Sequence, residues 1–153
     1  MKRRPHPYDP HISNGLFARL LILSSRHDLP VVCKLFRGYL NCDIYDRLPD
    51  TIFFPHPYGI VITSGAVFGD DVVIGQQVTI GNRNGVLAAP RIGNRVYIAA
   101  GAKVLGNITI GDDVIVGANA VVTRDVPANV VVVGANRLMA KKTDYWAARI
   151  SSK

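Results

Sequence analysis

The sequence predicts an all-β solenoid: a left-handed parallel β-helix with a short N-terminal helical cap and a C-terminal tail. Two observations carry this. First, every sixth residue from Ile62 is apolar: Ile62, Phe68, Ile74, Ile80, Val86, Ile92, Ile98, Val104, Ile110, Val116 and Val122. Neither a helical period nor the alternation of an ordinary strand gives that beat. A coil of hexapeptides does, with one short strand and one corner per repeat and about three repeats per turn. Second, small or turn-forming residues recur between the apolar ones, as in "IGQQVT", "IGNRVY", "IGDDVI" and "VGANAV". Glycine, asparagine and aspartate tolerate positive φ or supply the local side-chain bonds that a sharp corner needs. A sandwich of short strands lacks a fixed six-residue beat.

Three segments follow in order. Residues 1–42 form a basic arm and helical cap, in which "GLFARLLILSSRH" (15–27) and "LPVVCKLFRGYL" (29–40) mix apolar and basic faces and predict two helices. Asp28 is placed to cap the second and Pro30 suits its first turn. Residues 43–135 form the solenoid, and residues 136–153, "NRLMAKKTDYWAARISSK", a capping tail with a short helix. A bare solenoid end would be an exposed edge, so both caps are required. Within the solenoid, "GNRNGVLAAPRIG" (81–93) puts Asn84, Gly85, Ala89 and Pro90 in regular coil positions, although Val86 keeps the beat. This predicts a loop thrown out of the coil, and such loops commonly carry binding groups.

A length of 153 residues at 48% apolar content fits one globular domain. Cys33 and Cys42 lack partner histidines at metal spacing, which points to buried thiols in a reducing compartment. The basic start has no apolar stretch of signal type behind it, and "LFARLLIL" is broken by Arg19, so the expected location is cytoplasmic. The net charge of +7 favours anionic partners. No aromatic-basic motif supports nucleic acid, whereas peripheral membrane contact through the basic N-terminal region stays open.

One ionisable residue stands out. "FFPHPYGIVI" sets His56 between two prolines ahead of the repeat, and an imidazole near neutral pH can accept a proton from a hydroxyl.

Two stretches carry a family resemblance: "HPYGIVITSGAVFGDDVVIGQQVTIGN" and "RIGNRVYIAAGAKVLGNITIGDDVIVGANAVVTRDVPANVVVVG". Together they resemble the hexapeptide-repeat acyltransferases, within them the serine acetyltransferase branch and its relatives that O-acetylate exopolysaccharides such as colanic acid. The resemblance covers residues 41 to 137. It implies acetyl-CoA as donor, no metal, and a homotrimer with its active site in the cleft between neighbouring solenoids. It makes His56 the general base and Asp43 of "CDIYDRLPD" its orienting carboxylate, although Asp43 stands two residues closer to the histidine than the family spacing. Gly81, Asn82, Ala100, Gly101, Gly117 and Ala118 fall where the pantetheine arm would lie, and Arg137, Lys141 and Lys142 where cations would meet the CoA phosphates. Tyr58, Asn84 and Arg83 are the acceptor-binding candidates.

The departures bear on the acceptor. Serine acetyltransferases carry an aspartate directly before the histidine and an arginine-histidine pair before the loop proline; here those places hold Pro55, Ala88 and Ala89. Groups for an amino acid's carboxylate are missing, so the expected acceptor is a saccharide hydroxyl in exopolysaccharide or glycan biosynthesis. Serine O-acetylation in cysteine biosynthesis is the alternative, and a structural or binding solenoid the non-enzyme alternative. The γ-class carbonic anhydrases share this solenoid but need a histidine trio around zinc, which His6, His11, His27 and His56 do not supply on the coils.

Overall fold

The computed structural model describes residues 5–6, 9–26, 35, 38–45, 47–83 and 88–141. Before the repeat come a hairpin of β1 (Pro5–His6) and β2 (Asp9–Ser13) and one helix, α1 (Leu16–Arg26). The repeat region is a run of short strands: β3 (Asp43–Ile44), β4 (Val61–Ile62), β5 (Val67–Phe68), β6 (Val73–Ile74), β7 (Thr79–Gly81), β8 (Arg91–Ile92) and β9 (Tyr97–Ile98). It continues through β10 (Lys103–Leu105), β11 (Thr109–Ile110), β12 (Ile115–Val116), β13 (Val121–Val122), β14 (Val130–Val133) and β15 (Arg137–Ala140).

These strands stack into three sheets that the chain visits in rotation. Face one is β3-β4-β7-β10-β13, face two β5-β8-β11, and face three β6-β9-β12-β14 with β15 added at its end. All pairings within the coil are parallel, and a regular turn takes 18 residues: Val61 opposes Thr79, Tyr97 opposes Ile115, and Lys103 opposes Val121, while the last turn is tighter, with Ile115 opposing Val131. One turn is longer, since Val67 opposes Arg91 and Val73 opposes Tyr97. Six extra residues therefore leave the coil between β7 and β8, as the sequence predicted; Val86 and Asn84 fall in 84–87, outside the described residues.

The six-residue beat is the inward column of the core. Ile62, Ile74, Ile80, Ile98, Val104, Ile110, Val116 and Val122 are fully buried, Ile92 is buried, and Phe68 packs half-buried against them. A second column lies four residues on, with Val72, Val78, Val96, Ala102, Val114 and Ala120. The residue before each of these takes positive φ: Asp71, Gln77, Arg95, Gly101, Asp113 and Asn119. For a non-glycine residue that conformation costs about 1–2 kcal/mol. At Arg95 a two-pronged ion pair to Asp113 helps to offset it (Nε–Oδ1 2.9 Å, Nη2–Oδ2 2.6 Å). Along the same edge Asn94 Oδ1 accepts the amide of Asp70 (2.9 Å), while the Asn94 amide reaches Asp112 Oδ1 (2.7 Å).

The ends differ from expectation. The hairpin β1–β2 occupies the stretch read as a plain basic arm; Pro5 and Pro10 bring no ladder donors of their own and hide the strand pattern. Helix α1 matches the first expected helix and sends Ala18, Leu21 and Ile22 into the core beside Leu40, Leu48 and Ile52. Of the second, Leu35 and Gly38–Leu40 are helical; Asp28 and Pro30 lie outside the described residues. At the C-terminus the tail begins as a strand. Positive φ at Gly134 and Asn136 turns the chain back, so β15 pairs antiparallel with β14, while residues 142–153, with the rest of the expected tail, lie outside the described residues. Among the described residues, no helix is long and apolar enough to cross a membrane.

Candidate active site

His56 sits on a short turn braced from several sides. Phe53 and Phe54 before it are buried, and Phe53 joins face three by a bridge to Val73. The prolines on either side fix their own φ. Beyond the histidine, the Tyr58 amide donates to the His56 carbonyl (2.9 Å) and the Gly59 amide to Leu40 (3.0 Å). Cys42 closes the brace: its thiol donates to the Pro57 carbonyl (3.3 Å), and its sulfur accepts the Ile60 amide (3.4 Å). Burial pushes that thiol above its ordinary pKa, with the Ile60 and Gly59 amides pulling the other way, so it stays neutral. Asn14, at the base of α1, is buried and bonds both the Ile52 carbonyl (2.7 Å) and the Phe54 amide (2.8 Å). The backbone is thus fixed while the imidazole is exposed, and no described residue hydrogen-bonds to the ring.

Asp43 is not engaged with that ring. It is exposed on β3 opposite Val61, and its Oδ2 takes the Tyr45 hydroxyl at 2.8 Å. The orienting role read from the resemblance thus has a competing partner in the phenol.

The remaining site residues divide between two edges of the coil. From the His56 turn, the edge between faces three and one runs through stacked corners: the amides of Gln77, Gly101 and Asn119 donate to the carbonyls of Tyr58, Gln76 and Ala100 at 2.8–2.9 Å. Tyr58, Ala100, Gly101, Gly117 and Ala118 all lie along it. Gly81, Asn82 and Arg83 lie on the next edge, between faces one and two, where the Gly106 amide donates to Gly81 (2.9 Å). Face one separates the two, a contour of about 20 Å for six residues of extended chain.

The glycines on the two edges are small for different reasons. A Cβ at Gly101, which has positive φ, would strike the Asn119 side chain, and one at Gly117 would press on Val133, so the coil itself requires both. A Cβ at Gly81 would meet only ordinary contacts with Leu105 and Thr79. Beside it, the Asn82 side-chain oxygen is buried with no hydrogen-bond partner among the described residues.

Among the cations, Arg83 is tied to the coil edge through Thr123 (Nη1–O 3.4 Å), Lys141 donates to the Asp113 carbonyl (3.2 Å), and Arg137 is exposed on β15. Asn84 and Lys142 lie outside the described residues. Sequence reading passed over Lys103, a half-buried lysine on face one that donates to the Gln77 carbonyl (2.8 Å) and Thr79 Oγ1 (3.1 Å). Its signal was its place beside the inward Val104 in the six-residue beat. Among the described residues, no group of His, Cys, Asp or Glu is arranged to hold a metal ion.

Residues 89–124 match the family model described as bacterial transferase hexapeptide (six repeats). Serine acetyltransferase from Synechococcus elongatus is 47% identical over 114 residues, covering 69% of this chain and 47% of that protein. The enzyme of the same name from Mycobacterium tuberculosis is 51% identical over 85 residues, covering 54% and 37%. Among solved structures, serine acetyltransferase from Brucella abortus superimposes with a TM-score of 0.69 at 30% identity, covering 84% of this chain and 56% of that one. The Neisseria gonorrhoeae serine acetyltransferase solved with serine gives 0.67 at 33% identity, covering 78% and 51%. The chain spans about half or less of the curated relatives it matches, and what it shares with them is the hexapeptide-repeat fold of a transferase.

Proposed function

We propose that the chain is a cytoplasmic, acetyl-CoA-dependent O-acetyltransferase on a left-handed β-helix, with L-serine as its acceptor. One observation carries the chemistry: an exposed imidazole on a braced turn, at the head of an edge lined by small residues. In this reading His56 takes the proton from the acceptor hydroxyl as its oxygen attacks the thioester carbonyl. The tetrahedral intermediate then collapses, the C–S bond breaks, and the imidazolium returns the proton to the departing thiolate. The pantetheine arm lies against the small residues, and Gly81, which the coil alone does not demand, leaves it room.

Serine as acceptor is supported by the relatives described above, each named a serine acetyltransferase, and by the neisserial structure that contains serine. A bound carboxylate needs a cation, and Ala88 and Ala89 offer none; in this reading Lys103, on the face between the two edges, provides it. A homotrimer is supported by the separation of the site residues onto two edges of one coil, because a cleft between neighbouring copies sets different edges face to face. A saccharide hydroxyl is the second reading, favoured by those same two alanines.

Acceptor-dependent CoA release, measured with L-serine and a panel of nucleotide-linked and oligomeric sugars, separates the readings. Saturable release with serine, weakened by Lys103→Ala through KM, supports the first. Release with a sugar alone supports the second, and binding of acetyl-CoA with no acceptor-dependent release would leave a binding solenoid.

A further inference from the structure

Face three begins one rung before β6. Phe53 forms a parallel bridge with Val73, its amide donating to the Val72 carbonyl (2.8 Å) and its own carbonyl accepting the Ile74 amide (2.9 Å). A further strand on the open side of Phe53 would use the two groups that flank it, donating to the Ile52 carbonyl and accepting from the Phe54 amide. One side chain takes both: Asn14 Nδ2 donates to Ile52 (2.7 Å) and Asn14 Oδ1 accepts from Phe54 (2.8 Å). The buried carboxamide therefore stands in for the peptide group of an absent strand.

Asn14 is itself anchored. It stands just ahead of α1, whose Ala18, Leu21 and Ile22 are buried in the core, and toward the far end of that helix Ser25 Oγ accepts the Leu48 amide (3.2 Å). The segment that Asn14 holds runs directly into the reactive turn. The residue before a proline is restricted to extended backbone and the proline ring fixes its own φ, so few soft dihedrals separate the Phe54 amide from His56. Cys42 grips the turn beyond the histidine, at Pro57 and Ile60. We propose that Asn14 is a positioning residue for His56, fixing from the N-terminal side where the imidazole is presented to the acceptor hydroxyl. This rests on the acetyl-transfer reading above, in which ring and hydroxyl must come within hydrogen-bond reach.

The test compares Asn14→Ala and Asn14→Asp with the wild type as full chains. The aspartate keeps the size of the side chain and the acceptor for Phe54, but as a carboxylate it has no proton for Ile52. Two readouts are taken below the melting point of each protein: kcat and KM for acceptor-dependent CoA release, and the NMR signals of the histidine ring carbons, with those of His56 assigned by their loss in His56→Ala. The expected result is a kcat lowered about tenfold or more in both variants, a KM for acetyl-CoA close to wild type, and His56 ring signals shifted or broadened while the methyl signals of the buried Val104, Ile110 and Val116 stay in place. Wild-type kcat or unmoved ring signals in a folded variant would overturn the proposal. So would failure of both variants to fold, or a loss of kcat accompanied by movement of those core methyls, since Asn14 would then serve the fold alone. If the wild type itself releases no CoA with any acceptor, the acetyl-transfer reading fails, and the ring signals alone decide whether Asn14 sets the turn.

Discussion

The thiol of Cys42 donates to the carbonyl of Pro57 across 15 residues of chain, joining the residue just before β3 to the residue after His56. Replacing Cys42 with alanine removes this bond and leaves the buried Ile60 amide without its acceptor, at a cost of about 1–3 kcal/mol. Turnover should fall while acetyl-CoA affinity stays close to wild type, since the brace positions the histidine and not the donor edge. Chemical unfolding together with a kcat and KM comparison checks this. A variant of native stability and full turnover would mean that the prolines alone hold the turn.

His56→Ala should lower kcat by about 10² or more and leave the melting temperature and acetyl-CoA binding nearly unchanged, because the ring is exposed and its proposed part is proton transfer alone. Steady-state kinetics beside calorimetric titration of acetyl-CoA decides it. Retained turnover would remove the general-base assignment.

The loop should be separable from the coil. Deleting residues 83–88 and changing Ala89→Gly restores an 18-residue turn, with the new glycine at the corner place that Gly65 fills at φ 84. The shortened chain should keep its circular dichroism spectrum and cooperative melting but lose acceptor-dependent CoA release. Loss of folding would show that the loop braces the coil.

Acid stability should depend on the edge ladder. The backbone and side-chain bonds from Asn94, with Arg95 nearby, hold the Asp112 carboxyl below its ordinary value of 3.8. A lowered folded pKa gives stability that is complete above the ordinary value and is lost as pH falls through it toward the folded one. Asp112→Asn should therefore lower stability near neutral pH and flatten the loss below pH 3.8, as read from urea midpoints across that range. The effect should be small at this largely solvated edge, and an acid limb identical to wild type would show that other carboxylates govern it.

The core was legible because a narrow coil interior admits only apolar side chains at one spacing, so Ile62 to Val122 announced their own places. That same regularity concealed part of the fold. The inserted loop is one repeat long, so Val86 falls on the beat whether or not it belongs to the coil; only Asn84, Gly85, Ala89 and Pro90 betrayed it. At the ends, short strands in proline-rich or mixed sequence carry no periodic signal, and β1, β2 and β15 went unforeseen. His56 was singled out by its motif, and the structure sets it exposed on a braced turn. That Gly81 and Ala100 stand on different edges was not legible, because placing them requires the register across the insertion. The proposed acceptor sets relatives against residues: Ala88 and Ala89 argued for a sugar, while the relatives are named serine acetyltransferases.

The placement of His56 on one edge and Asn82 on the next has a genetic consequence. In the proposed trimer, with its cleft formed between chains, a subunit damaged only at His56 and one damaged only at Asn82 would each retain the half that the other lacks. Co-expressed in equal amounts, two inactive alleles would assemble at random, and about a quarter of the clefts would pair two intact halves. Partial complementation between null alleles would follow, and a site completed within a single chain would never produce it.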